Sequence, residues 1–208
     1  MQIQIGQFEF VQTQLDDSDG LDYDFYWQAF VPAASLTTWG RGSEQLGAEP
    51  LPITCLQADE SPLLQRQVAA AQWLLKNLDS IVSLIQSACE DAWSACYYWE
   101  GNEMTDEDEY YITGIRIPPG EAPPWGEPRD PSLPALIVVD MEQDWELEHG
   151  FYVVLDPATG TAEWTTWDGL QDKGLVRDID EDEDEDFGDE DDFDEDEDGF
   201  DEDDFDDE

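Results

Sequence analysis

The stretch Ser61–Tyr98 constrains the fold of this chain more than any other. In it Leu64, Val68, Ala71, Leu75, Leu78, Val82, Ile85, Cys89 and Ala92 recur at alternating spacings of four and three. That period keeps them on one side of an α-helix, which completes a turn every 3.6 residues. No other segment carries so long an apolar stripe. Ser61 is placed to cap the helix and Pro62 to occupy its first turn, where a missing N–H costs nothing. Asn77, Asp79 and Ser80 interrupt the run with residues that bond their own backbone. The expectation is a helix pair broken near Asn77–Ser80, or one long kinked helix. Trp73, Leu74, Ile81, Leu84 and Trp93 widen the stripe, so both sides of it meet other parts of the core.

Strands are expected on either side of the helical stretch. Met1–Gln12 alternates Ile3, Ile5, Phe8 and Phe10 with polar residues, and Gly6 marks a change of face of the kind a bulge makes. Asp16–Gly20 reads as a turn and Tyr23–Val31 as the second strand of a hairpin. Ala33–Pro52 reads as loop, with a short strand near Leu51–Leu56. Tyr110–Ile117, Ala135–Trp145, Phe151–Leu155 and Thr161–Trp167 complete the strand set, the last three as an antiparallel meander turning at Asp156–Gly160. Between them, Pro118–Pro134 holds 7 of the chain's 12 prolines and reads as an extended, exposed excursion. Strands at both ends with helices between give an α+β class: an antiparallel sheet with the helices packed on one face.

Charge divides the chain into a body, 1–177, and a tail, 178–208. The tail has 24 acidic residues in 31 and no basic ones; subtracting these from the 55 acidic residues leaves 31 against 7 basic in the body, a net of −24. The body is long enough to form one domain with its own core. The tail has too little to bury and too much self-repulsion to fold alone, and is expected to be disordered. Its four phenylalanines, Phe187, Phe193, Phe200 and Phe205, sit singly in the acidic field as in acidic-hydrophobic interaction segments. A plain solvating tail is the alternative.

A chain of net charge −48 disfavours nucleic acid and anionic membrane and favours a basic protein partner, with loose, nonspecific divalent binding on the tail. Adaptation to a salty cytoplasm is a competing reading of the same composition. Three Cys without a C-x-x-C pair, and Cys89 and Cys96 too far apart along a helix to bridge, suit free thiols in a reducing cytoplasm. The N-terminus lacks the basic and apolar regions of a signal peptide, and no apolar run approaches the ~20 residues of a membrane span.

Candidate sites follow from the charge pattern. Along Ala135–Glu148, alternate positions put Asp140, Glu142, Asp144, Glu146 and Glu148 on the face opposite Ile137, Val139 and Met141. Such a stripe of like charge is tolerated where it is solvated or meets Lys and Arg of a partner. The cluster Asp144, Glu146, Glu148 and the lone His149 is the alternative, as a hydrolase-like or metal-binding group. One His supplies no two-His metal motif, and no G-x-S-x-G nucleophile motif is present. Asp194-x-Asp196-x-Asp198-Gly199 opens like a calcium loop, but Phe205 stands where the bidentate Glu belongs. No cofactor or metal is therefore expected.

Gln67-x-x-Ala70, then Leu74, Asn77, Ile81 and Ile85, followed by Trp145-Glu146-x-Glu148-His149-Gly150 and a final hairpin, resembles a bacterial family of unknown function. Its members carry a Q-x-x-A helix pair and a W-x-x-E-H-G turn before the last strands. The resemblance spans Ser61–Trp167; the Pro-rich excursion and the acidic tail depart from it. The family has no assigned activity; some similar small α+β domains resemble immunity proteins of bacterial toxin systems, which implies a binding role. The sequence reading is thus an acidic interaction protein for a basic partner, an immunity or inhibitor protein by resemblance, with a housekeeping domain kept soluble by its tail as a further alternative.

Overall fold

A computed structural model describes residues 1–14, 23, 25–31, 40–41, 50–95, 110–120, 128–143 and 150–176. Its strands are β1 (Gln2–Ile5), β2 (Phe8–Gln14), β3 (Phe25–Val31), β4 (Gly40–Arg41), β5 (Leu51–Gln57), β6 (Tyr110–Ile117), β7 (Ile137–Gln143), β8 (Phe151–Asp156) and β9 (Thr161–Thr165). Its helices are α1 (Gln65–Lys76), α2 (Leu78–Ala95) and α3 (Trp167–Asp172). The class is α+β. Among the described residues the strands form one sheet in the order β1-β2-β3-β5-β6-β7-β8-β9, with β4 added to β6. Every pairing is antiparallel except β5 with β6, which run parallel through Ile53–Ile115, Thr54–Arg116 and Cys55–Ile117.

One face of the sheet is apolar because the strands alternate. Ile5, Phe10, Trp27, Ala29, Ile53, Cys55, Ile115, Val139 and Val153 share a single buried cluster with Leu74 of α1 and Ile81, Ile85 and Cys89 of α2. Burial pushes the Cys55 thiol far above its ordinary value and, aided by the Glu90 charge, raises Cys89 to about 12. Both are free, buried thiols.

Several sequence expectations need correction. Gly6 is no bulge: at φ 61° it forms the tight turn between β1 and β2, where a residue with a Cβ is strained. The first helix begins later than Ser61. Asp59 accepts a hydrogen bond from the Ser61 N–H, which holds Ser61 in a turn, and Leu64 becomes the N-cap. The apolar stripe of α1 is also rotated by about one residue. Leu63, Gln67, Ala70, Ala71 and Leu74 are buried, whereas Val68, Leu75 and Leu78 are half-buried and Leu64 is 41% exposed. Leu74→Ala is therefore expected to cost about 2–5 kcal/mol, and Leu78→Ala about 1 kcal/mol, in urea unfolding; equal losses would mean that the stripe lies where its spacing alone puts it.

Asn77 separates α1 from α2. Its N–H and side-chain amide both donate to Trp73 O, and its own carbonyl accepts from the N–H groups of Ser80 and Ile81 and from the Ser80 hydroxyl. One residue thus closes one helix and opens the next.

The ends of the Pro-rich segment are tied to the body, not free of it. Pro118 is buried, and the Arg129 guanidinium binds Asp156 through both terminal nitrogens, at 3.2 and 2.6 Å, and donates to Pro134 O. Helix α3 falls where a continuing strand was expected, since β9 stops at Thr165. The Thr166 hydroxyl caps it by accepting from Gly169 N. Leu170, Leu175 and Val176 then pack on Val138 and Val154, a second cluster on the side of the sheet away from the main core.

Candidate outward sheet face

The outward face is set by the residues that alternate with the core: Tyr26, Gln28 and Phe30 on β3, Pro52, Thr54 and Leu56 on β5, Gly114 and Arg116 on β6, and Asp140 on β7. A bulge at Thr113 shifts the register so that Ile112 pairs Met141 but Gly114 pairs Asp140. Thr113 Oγ1 donates to the Asp140 carbonyl across this irregularity. A Cβ on Gly114 would lie 3.4 Å from Asp140 Oδ2, an ordinary contact, so Gly114 sits directly against the carboxylate. Tyr26, Gln28, Thr54, Gly114, Arg116 and Asp140 line a shallow open groove of about 400 Å³.

Arg116 and Asp140 form a close, forked ion pair: Nε lies 2.9 Å from each carboxylate oxygen and Nη2 donates to Oδ1 as well. The side chains are 14% and 22% exposed. Burial raises the Asp140 carboxyl above its ordinary range, and the hydrogen bonds and charge of Arg116 pull it only partly back. The Arg116 guanidinium stands 5.8 Å from the centre of the Tyr152 ring, which in turn tilts against Trp167 at 6.2 Å. Burial raises the Tyr152 phenol, with Arg116 opposing and Asp140 adding to the shift. At this end of the face the polar groups satisfy one another.

The other end is different. Phe30 is 55% exposed and Val11 39% exposed. Gln28 pairs with Val11 on β2 and with Thr54 on β5, and donates its side-chain amide to the Thr54 hydroxyl. Exposed Glu9 on β2 and Glu142 on β7 add negative charge to the same sheet. The face is thus an aromatic and polar shelf with carboxylates, and it carries no cluster of metal-ligating side chains among the described residues.

Of the sequence-derived stripe, the structure places Asp140 against Arg116 and leaves Glu142 exposed. Asp144, Glu146, Glu148 and His149 lie outside the described residues, as do Phe187, Phe193, Phe200 and Phe205. Sequence reasoning did not single out Arg116, Tyr152 or Phe30. The signal for Phe30 was present in β3, where Phe25-Tyr26-Trp27-Gln28-Ala29-Phe30-Val31 puts aromatics on both faces. Among the described residues no helix is long and apolar enough to cross a membrane. No protein-family model matches this chain, and neither a curated protein nor a solved structure does.

Proposed function

We propose that this chain is a non-enzymatic interaction protein that uses the outward sheet face to hold a basic protein partner. The observation that carries the reading is Phe30, more than half exposed on a sheet of a strongly acidic chain. An exposed aromatic on the same face as Val11 and Tyr26 supplies an apolar anchor of the sort that dominates interface energy. Glu9 and Glu142 supply complementary charge for Lys and Arg at its margin. The acidic tail, disordered in this reading, adds long-range attraction that raises the encounter rate and is screened over about 8 Å at physiological salt. In this reading α1 and α2 act as a pair laid on the opposite face, stiffening the platform. The cytoplasm is the proposed compartment, and an immunity or inhibitor role is the form of binding that the Q-x-x-A resemblance suggests.

The test uses the purified partner, recovered by affinity capture on the full chain and identified. Phe30→Ala is expected to raise the dissociation constant at least tenfold, about 1.4 kcal/mol, at both low and high salt, because apolar docking is not screened. Glu9→Gln with Glu142→Gln is expected to slow association and to flatten its salt dependence, with little change in dissociation. A partner that binds wild-type and Phe30→Ala chains alike, and is indifferent to salt, overturns the reading.

A further inference from the structure

A second feature lies at the end of the sheet where β6 and β8 finish and β7 and β9 begin. A half-open cavity of about 560 Å³ there gathers Arg66, Arg129 and Lys173, three of the chain's seven basic residues. Volumes of this size are typical of small-molecule sites. The charges are not equally matched. Arg129 is paired with Asp156, and Lys173 with Glu163 at 3.2 Å. Arg66 has no ion pair among the described residues, and its Nε is buried without a hydrogen-bond partner. Burial and the neighbouring Arg129 charge both disfavour the charged guanidinium, and of these two like charges only Arg129 has a carboxylate within ion-pair distance, Asp172 at the lining standing too far from Arg66 to pair with it. Arg66 also occupies the first turn of α1, where the helix ending is itself electropositive. The guanidinium rests against Gly120, where a Cβ would sit 3.0 Å from Nη2.

We infer that this cavity binds a small organic monocarboxylate, with Arg66 as its recognition group. A planar guanidinium with free N–H groups matches a carboxylate in fork geometry. Leu136, Val154 and Leu175 line the remainder and fit a short apolar body. Asp172 also lines the cavity and has no ion pair among the described residues, which disfavours a second carboxylate on the ligand.

The experiment titrates the full chain with isovalerate, and with isovaleramide as the uncharged twin, following the arginine Nε–Hε resonances. Isovalerate is expected to give a saturable shift of the Arg66 signal that isovaleramide does not. Arg66→Gln is expected to weaken binding about ten- to a hundredfold, the equivalent of one hydrogen bond to a charged group, while Arg66→Lys keeps part of it. The Arg66 side chain makes no hydrogen bond or ion pair to another described group, so both variants are expected to fold, which urea unfolding checks. The same titration is run on a full chain carrying Asp178→Asn, Asp180→Asn, Glu181→Gln and Asp182→Asn. Binding seen only in that chain means that the tail's own carboxylates compete for the site, which supports the assignment. Equal responses to acid and amide, or no saturable response in either chain, overturn it.

Discussion

Replacing Gln67 by leucine is expected to lower the unfolding free energy by about 3–5 kcal/mol. Gln67 is wholly buried, and every valence of its amide is used. Its oxygen accepts from the Gln57 side-chain amide and from the Leu64 N–H. Its nitrogen donates to Leu56 O at 2.8 Å and to Ile117 O at 2.9 Å. Leucine fills nearly the same volume, so the loss comes from stranding buried carbonyls and the Gln57 amide, not from a cavity. Each stranded group costs about 1–3 kcal/mol. Gln67→Glu is expected to be worse, since it sets a charge against two carbonyl oxygens. Gln72, exposed on the same helix, is the control, and Gln72→Leu should stay within about 0.5 kcal/mol of wild type. Urea unfolding of the three variants decides; a loss below about 1 kcal/mol for Gln67→Leu would show that water replaces the lost partners.

The Arg116–Asp140 pair gives the second large effect, and its sign depends on what is removed. Arg116→Met leaves a largely buried carboxylate without its counter-ion. The loss for a fully buried pair is about 3–5 kcal/mol, and partial exposure of both side chains reduces the expectation to about 2–3 kcal/mol. The double variant Arg116→Met, Asp140→Leu is expected to recover most of that, because desolvation of the pair offsets much of its attraction. A double-mutant cycle in urea measures the coupling; additive losses would mean that the two side chains act independently. Titration supplies a second check. The Asp140 carboxyl in the folded chain lies above its ordinary value, so the folded state takes up this proton before the unfolded state does. Ionisation of Asp140 therefore works against the fold at neutral pH, and the penalty lifts as the pH falls through the folded value. The wild-type chain should gain stability over Asp140→Asn as the pH is lowered from 7 into the carboxylate range.

The local parts of the fold were legible because they depend on local chemistry. Strand alternation picked out β3, β5, β6, β7, β8 and β9 but read Met1–Gln12 as one strand where β1 and β2 form a hairpin, and the Asp156–Gly160 turn follows from residues that make their own bonds, as when Asp156 accepts from Ala158 N. The register of α1 was not legible. Leu74 and Leu75 are equally apolar neighbours, and the choice between them is made by Gln67, whose partners lie on two strands. A glutamine carries no apolar signal, and it is the strand carbonyls that hold Gln67 inward. Helix α3 is too short, at six residues, to show a period. The outward face was legible as an alternation but not as a balance of charge. Asp140 read as one member of an acidic stripe, and only the pairing of β6 with β7 brings Arg116, 24 residues earlier, to meet it.

The parallel contact between β5 and β6 has a consequence for how the molecule assembles and how it yields. On either side of it lie two ribbons, β1-β2-β3-β5 and β6-β7-β8-β9, each zipped by neighbouring antiparallel strands. Such local pairings form quickly, whereas joining β5 to β6 first requires closing the whole loop that carries α1 and α2. The ribbons therefore form early and the join between them late. The β5–β6 join has three residue pairs, to which β4 adds two more on β6, where the β3–β5 ladder alone has seven. Tension drawn across the sheet is expected to part the molecule there, and the Gln67 amide, bonded to Leu56 O on one side and Ile117 O on the other, together with the β4–β6 pairs, stitches the two sides.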